Sequence, residues 1–257
     1  MSNLKERLKN GETILGTMIN SFDHHDIVRI LKVAGFDMFI IDNEQGCMDY
    51  GKVSVMLSLA RAIGISGFVR VPEVEKDAIS KYMELGADGL LIPNCEDAEE
   101  VKKVIEYSKY APMGKRGVSL FRPHTGFENI ASGTEYMKKQ NEETMIICQI
   151  ESRKGIENVE EILKIDGVDV AFIGPNDLSC DLGCYGDMGN PELNLAIDKV
   201  ISAAEKYGKY SGIFVGGAAD GLKKWLDKGM KVNIWSSDTA MMMNYAKNGI
   251  ATIKSFC

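Results

Sequence analysis

Two acidic pairs, an arginine and two amides are the side chains of this 257-residue sequence whose types and spacing could do chemistry. Asp42 and Glu44 stand in Ile40-Ile41-Asp42-Asn43-Glu44-Gln45. Arg70 follows Val69, Gln149 and Glu151 flank Ile150, and Asn176 and Asp177 lie in Gly174-Pro175-Asn176-Asp177-Leu178-Ser179. Carboxylates contributed by separate segments are hard oxygen ligands, suited to Mg²⁺ or Mn²⁺ rather than zinc. Backbone N–H groups at Asn176 and Asp177, beside a turn, could hold a substrate carboxylate. Each residue alone has a plainer role open to it. Asp42 could cap a helix, Arg70 could form a rim salt bridge, and Asp177 could open a helix over Leu178–Leu182.

The elements that must position these groups alternate along the chain. Strand-like apolar runs cover Thr13–Ile19, Met38–Asp42, Gly67–Val71, Gly89–Pro93, Met145–Ile150, Val168–Ile173, Tyr210–Val215 and Lys231–Ser236. Amphipathic stretches between them include Asp26–Ala34, Val53–Ala62, Asp77–Leu85, Ala98–Ser108 and Leu193–Tyr207, where Leu195, Val200, Ala203 and Ala204 recur at helical spacing. Several stretches stop at a glycine, as at Ala34-Gly35 and Ile63-Gly64, the expected left-handed cap. Apolar strands separated by helices form a parallel sheet covered on both faces. Eight such units predict a closed α/β (β/α)8 TIM barrel occupying residues 1–257 as one domain, with an open α/β sheet as the alternative. Arg116–Leu120 reads as a possible extra strand. In a barrel the groups above fall at the C-terminal ends of strands two, three, five and six, the rim where working residues sit.

Composition narrows the class. The net charge of -7 and the lack of a basic stripe argue against nucleic-acid binding. No apolar run approaches the roughly 20 residues that span a bilayer, and the charged start Met1–Gly11 has no signal-peptide core. The six cysteines (Cys47, Cys95, Cys148, Cys180, Cys184 and Cys257) are scattered, which reads as reduced thiols in a cytoplasmic protein. Cys180 and Cys184 could share a helix face, but a zinc site needs further ligands nearby.

The segments together resemble the HpcH/HpaI family of metal-dependent class II aldolases, in the phosphoenolpyruvate/pyruvate-binding barrel superfamily. The resemblance runs over nearly the whole chain. Its marks are Ala34-Gly35-Phe36-Asp37 before Ile41-Asp42-Asn43-Glu44, then Val69-Arg70, Gly89-Leu90-Leu91-Ile92-Pro93, Gly114-Lys115-Arg116-Gly117-Val118, Gln149-Ile150-Glu151-Ser152 and Phe172-Ile173-Gly174-Pro175-Asn176-Asp177-Leu178-Ser179. It implies a carbon–carbon lyase cleaving or forming hydroxy-2-oxo acids through a metal-bound pyruvate enolate, with an aldehyde as second substrate. Glu151 and Asp177 would bind the divalent metal, Mg²⁺ or Mn²⁺ with Co²⁺ a further candidate, and Gln149 would support that shell. Arg70 would face the 2-oxo oxygen where charge develops. The resemblance also implies a homo-oligomer built from dimers, up to hexamers, with the apolar C-terminal segment Thr239–Ala246 at a subunit interface.

One position departs from the family pattern. Asp-x-Glu-His, in which the histidine and aspartate take a proton from the substrate hydroxyl, here ends in Gln45. A carboxamide is no base near neutral pH, and such a base is worth about 10²–10⁴-fold. Three readings follow. His24 or His25, in the loop after strand one, has replaced the base, or these are solvated residues opening a helix. Alternatively the site decarboxylates an oxaloacetate-type 2-oxo acid, which needs no hydroxyl base. Or the chain is a catalytically silent 2-oxo acid-binding subunit. Arg122 could meet a distal substrate carboxylate or be a surface charge.

Overall fold

The computed structural model describes residues 3–256 and shows eight parallel strands closed into a barrel in chain order. They are β1 (Ile14–Ile19), β2 (Met38–Asp42), β3 (Ser66–Arg70), β4 (Gly89–Ile92), β5 (Met145–Ile150), β6 (Val170–Ile173), β7 (Tyr210–Val215) and β8 (Val232–Ser237). β8 pairs with β1 to complete the ring. Alternation of side chains sorts each strand into two faces. Met38 and Ile40, Phe68, Leu91, Met145 and Ile147, Val170 and Phe172, and Val232 and Ile234 fill the barrel interior. Phe39 and Ile41, Val69, Leu90 and Ile92, Ile146 and Cys148, and Ala171 and Ile173 face outward into the larger core beneath the helices. The helix Leu4–Lys9 closes the bottom of the interior with Leu4 and Leu8.

The same alternation carries the inward face up to the rim. Asp42 continues Met38 and Ile40, Arg70 continues Phe68, and Gln149 continues Met145 and Ile147. Asp42 and Arg70 are direct register partners on adjacent strands, and Gln149 lies opposite Phe172. An apolar plug thus supports a polar top layer, the arrangement in which a barrel keeps stability and chemistry at opposite ends.

Helix limits follow local signals. The helix Asp26–Ala34 ends on Gly35 at φ 96°, and Tyr50–Ile63 ends on Gly64 at φ 76°, both conformations natural only for glycine. Three sequence expectations need correction. Arg116–Leu120 forms no strand. The Arg116 backbone N–H instead bonds Lys109 O at 2.9 Å, and its buried guanidinium turns to Glu84 at 2.8 Å and lies over the Tyr110 ring. Leu195 is exposed, because the helix Pro191–Lys206 buries Leu193, Ile197 and Val200 instead. Cys180 and Cys184 do not share a helix face, since the helix Pro175–Asp181 stops before Cys184. The described cysteines are free, and Cys257 lies outside the described residues. No helix among the described residues is long and apolar enough to cross a membrane.

Candidate active site

A cavity of about 360 Å³ opens at the C-terminal mouth of the barrel. Asp42, Gln45, Arg70, Gln149, Asn176 and Asp177, all singled out in the sequence, line it. The Arg70 guanidinium forks onto Asp42, Nε to Oδ1 at 2.9 Å and Nη2 to Oδ2 at 2.7 Å. Its Nη1 meets Glu44 Oε2 at 2.7 Å, and Asn94 Nδ2 donates to Glu44 Oε1 at 3.1 Å. A planar fork held on two carboxylates has no freedom to swing, so its remaining edge keeps one direction. Burial works against the Arg70 charge, yet the bond to Asp42 and the nearby Glu44 and Glu151 hold its pKa above the usual value. Burial and the neighbouring Asp42 and Asp177 charges push the Glu44 carboxyl up, although Arg70 opposes them.

Glu151 is the carboxylate of the site that burial disfavours most clearly. It is buried, and its Oε1 accepts from Asn94 N at 2.8 Å while Oε2 accepts from Gln149 Nε2. Burial raises its pKa to about 7, and Asp177 and Glu44 add to that rise against the hydrogen bonds. Its hydrogen-bond donors are neutral, and Arg70, the cationic side chain on this cavity among the described residues, is already paired. Gln149 Oε1 is buried without any hydrogen-bond partner. A desolvated carboxylate, a second carboxylate beside it and an orphaned carbonyl oxygen form a donor set that a hard divalent cation satisfies. The residues present therefore fit a divalent metal. Gly174 makes the arrangement possible. A methyl there would fall on Glu151 Oε2 and within 2.7 Å of Gln149 Nε2.

Asp177 stands in the first turn of the helix Pro175–Asp181, whose N-cap is Gly174. Pro175 at the first helical position gives up an N–H that would have no partner there. The Asn176 and Asp177 backbone N–H groups follow it in that first turn. His24 and His25 are exposed and lie against Asp26, and neither lines the cavity. Arg122 donates to Ser119 Oγ at 3.1 Å in an exposed loop, also away from it. Among the described residues no histidine reaches the cavity wall.

Sequence reasoning passed over several wall residues. Met18, Leu91 and Phe172 are the top inward positions of their strands, and Phe214 is the equivalent on β7, so alternation could have located them. Asn94, which serves Glu151 rather than lining the cavity, carried a weaker signal. Its backbone takes φ 51°, which aims its N–H at Glu151. Asn20 and Tyr185 come from loops without periodicity.

Comparison with known proteins agrees with this geometry. The family model for HpcH/HpaI aldolase/citrate lyase matches residues 18–244. A hydroxypyruvate/pyruvate aldolase of Roseobacter denitrificans is 31% identical over 250 residues, covering 96% of this chain and 95% of the relative. A 5-keto-4-deoxy-D-glucarate aldolase of Klebsiella pneumoniae is 34% identical over 200 residues, covering 78% and 77%. The crystal structure of an HpcH/HpaI aldolase from Desulfitobacterium hafniense superposes with a TM-score of 0.94 at 34% identity, over 98% of this chain and 96% of that one. The chain belongs to the HpcH/HpaI aldolase/citrate lyase family, whose class II aldolases generally depend on a divalent metal, and is a carbon–carbon lyase of that aldolase type.

Proposed function

We propose that this lyase works through the enolate of pyruvate or a close 2-oxo acid, with Glu151 and Asp177 holding Mg²⁺ or Mn²⁺, Co²⁺ being a further candidate, and Gln149 supporting them. The carrying observation is the buried Glu151 carboxylate beside Asp177 and the partnerless Gln149 Oε1, two strands along the barrel from the clamped Arg70 fork. When bound, the cation supplies Lewis-acid polarisation of the 2-oxo group.

The chain's own residues do the rest. The Asn176 and Asp177 amides, at a helix start, receive the substrate carboxylate. Arg70 faces the 2-oxo oxygen, and the fixed guanidinium meets charge that grows there as the C–C bond breaks, an interaction strongest in the transition state. Asp42 and Glu44 keep that fork in place, and Asp42, whose Oδ1 accepts from Gln45 N at 3.3 Å, is the group we assign to accept the hydroxyl proton. Gln45 orients the acceptor through its amide without titrating. We take residues 1–257 as one catalytic domain acting in the cytoplasm, where free thiols such as Cys95 and Cys148 persist. The helix Asp238–Lys254 leaves Met242, Met243, Tyr245 and Ile250 exposed, which fits burial against another copy of the chain in a dimer-based homo-oligomer, as in a hexamer.

A second reading has its own support. With no histidine on the described cavity wall, a reaction that skips hydroxyl deprotonation suits the site, and decarboxylation of oxaloacetate is such a reaction. Pyruvate release from 4-hydroxy-2-oxo acids and from oxaloacetate, with Mn²⁺ or Mg²⁺ added, tests both. Release from the hydroxy acids, abolished by chelation and by Glu151→Gln, supports the aldolase. Release from oxaloacetate alone supports the decarboxylase. Binding of a 2-oxo acid with no turnover of either would identify a silent subunit.

A further inference from the structure

We propose that His24, His25 and Asp26 form a second metal site, apart from the cavity at the barrel mouth, for a divalent transition-metal ion such as Ni²⁺ or Zn²⁺. The inference does not rest on the enolate reading. One ligand atom from each of the three residues lies within 4.8 Å of the other two. His24 Nδ1 is 3.4 Å from Asp26 Oδ2, and His25 Nε2 is 3.8 Å from Asp26 Oδ1. Ligand atoms about 2.0–2.1 Å from one tetrahedral ion stand roughly 3.3–3.4 Å apart, so small side-chain rotations close the set. The two imidazoles already lie together, their ring centroids 4.2 Å apart. The ligands occupy consecutive positions, so the set is complete within one chain and takes nothing from a neighbouring copy.

The backbone that carries them is fixed on both sides. Buried Asp238 accepts from the N–H groups of Asn20, Ser21 and Phe22 at 3.1, 3.0 and 2.7 Å. The His24 and His25 carbonyls accept from Ile27 N and Val28 N, each at 3.1 Å, in the first turn of the helix Asp26–Ala34. Metal binding therefore orders side chains alone, which keeps its entropic cost small. The fold makes little other use of the rings. His25 is the N-cap of that helix, a place for Ser, Thr, Asp or Asn, yet it makes no capping bond. His24 Nδ1 accepts a long 3.3 Å bond from Asp26 N, which a metal–nitrogen bond would replace. Charge favours the ion as well. Asp26 offsets the positive end of the helix from its first turn. In the hollow beside His25, Asp23 and Asp49 stand against Lys52, itself paired with Asp23. Two imidazoles and a carboxylate suit Ni²⁺, Zn²⁺ or Cu²⁺, whereas the all-oxygen set of Glu151, Asp177 and Gln149 suits Mg²⁺ or Mn²⁺. All three residues are exposed, so the remaining coordination positions are open to water.

The test counts Ni²⁺ bound per chain by equilibrium dialysis and metal analysis of the full-length protein without an affinity tag, near neutral pH. The native chain is compared with the double variant His24→Ala, His25→Ala and with Glu151→Gln. The variants keep every cysteine, so thiol binding cancels in the comparison. The expected result is one Ni²⁺ fewer per chain in the double variant, with that ion retained in Glu151→Gln. Asp26→Asn keeps both rings and should weaken the same ion at least about tenfold. The metal-free melting temperature should stay the same in the double variant, since exposed rings carry no packing. Equal Ni²⁺ uptake by the native chain and the double variant overturns the inference. So does uptake that Glu151→Gln alone removes, because the mouth would then be the sole site. Loss of an ion in Glu151→Gln beyond the one lost in the double variant bears on the proposed enolate site and leaves this inference standing.

Discussion

Gly174→Ala probes the candidate metal site without replacing a proposed ligand. The backbone tolerates the change, because Gly174 sits at φ -94°, open to any L residue. The side chain does not fit. Its methyl would lie 2.7 Å from Gln149 Nε2 and 2.9 Å from Glu151 Cβ, where ordinary contact begins at 3.4 Å. The overlap with the Gln149 amide is thus 0.7 Å. Metal–ligand distances tolerate only about 0.2 Å, so a carboxylate displaced this far no longer closes its side of the coordination sphere. Disturbing groups that orient a ligand costs about 10–100-fold in metal affinity. The expected outcome is Mn²⁺ binding weakened by that factor in calorimetric titration, about 1.4–2.7 kcal/mol. Turnover should recover in part at high Mn²⁺, and the melting temperature of the metal-free protein should change little. Unchanged Mn²⁺ affinity together with unchanged kcat/KM would refute the reasoning, since the methyl cannot be placed without moving Glu151 or Gln149.

Other perturbations separate the remaining parts. Arg70→Lys keeps the charge but loses the fork held by Asp42 and Glu44, and kcat for pyruvate release should fall about 10²–10³-fold with a smaller change in KM. Replacing His24 and His25 together by alanine should leave the kinetics unchanged, because both are exposed and off the cavity; abolished turnover would revive a relocated base. At the opposite end of the barrel, burial raises the Asp88 carboxyl from 3.8 to about 6 while its Oδ2 accepts from Gly67 N. The folded state therefore binds this proton more tightly than the unfolded chain. The resulting stability is fully present below pH 3.8 and is lost as pH rises through about 6. Asp88→Asn should flatten the fall in unfolding free energy across that window, as read by urea denaturation at a series of pH values.

The fold was legible wherever periodicity was strong. β2, β5 and β7 have the limits that their apolar runs imply, and the helix Asp26–Ala34 ends where Gly35 says it must. The rim residues were legible because strand alternation continues from Met38 and Ile40 to Asp42, and from Met145 and Ile147 to Gln149. What failed was context that periodicity does not encode. Arg116–Leu120 has strand-like composition, but Glu84 and Tyr110 recruit Arg116 into the long loop and the closed eight-stranded ring leaves no edge to extend. Leu195 has helical spacing but points away from the face that Leu193 and Ile197 define. The short helix Leu4–Lys9 was hidden in a charged segment, since it contributes just Leu4 and Leu8 to the interior. Tyr185 reaches the cavity from a loop after Gly183, where no repeating pattern marks it.

The proposed chemistry depends on Glu151 and Asp177 sharing one cation beside Arg70. A crystal grown with Mn²⁺ and oxalate, a planar mimic of the pyruvate enolate, and measured for anomalous scattering, tests this directly. The expected result is one Mn²⁺ peak bonded to a carboxylate oxygen of each residue, with oxalate within hydrogen-bond distance of the guanidinium. A peak only at the exposed His24, His25 and Asp26 cluster, or a cavity that takes oxalate with the two carboxylates turned apart, would contradict it.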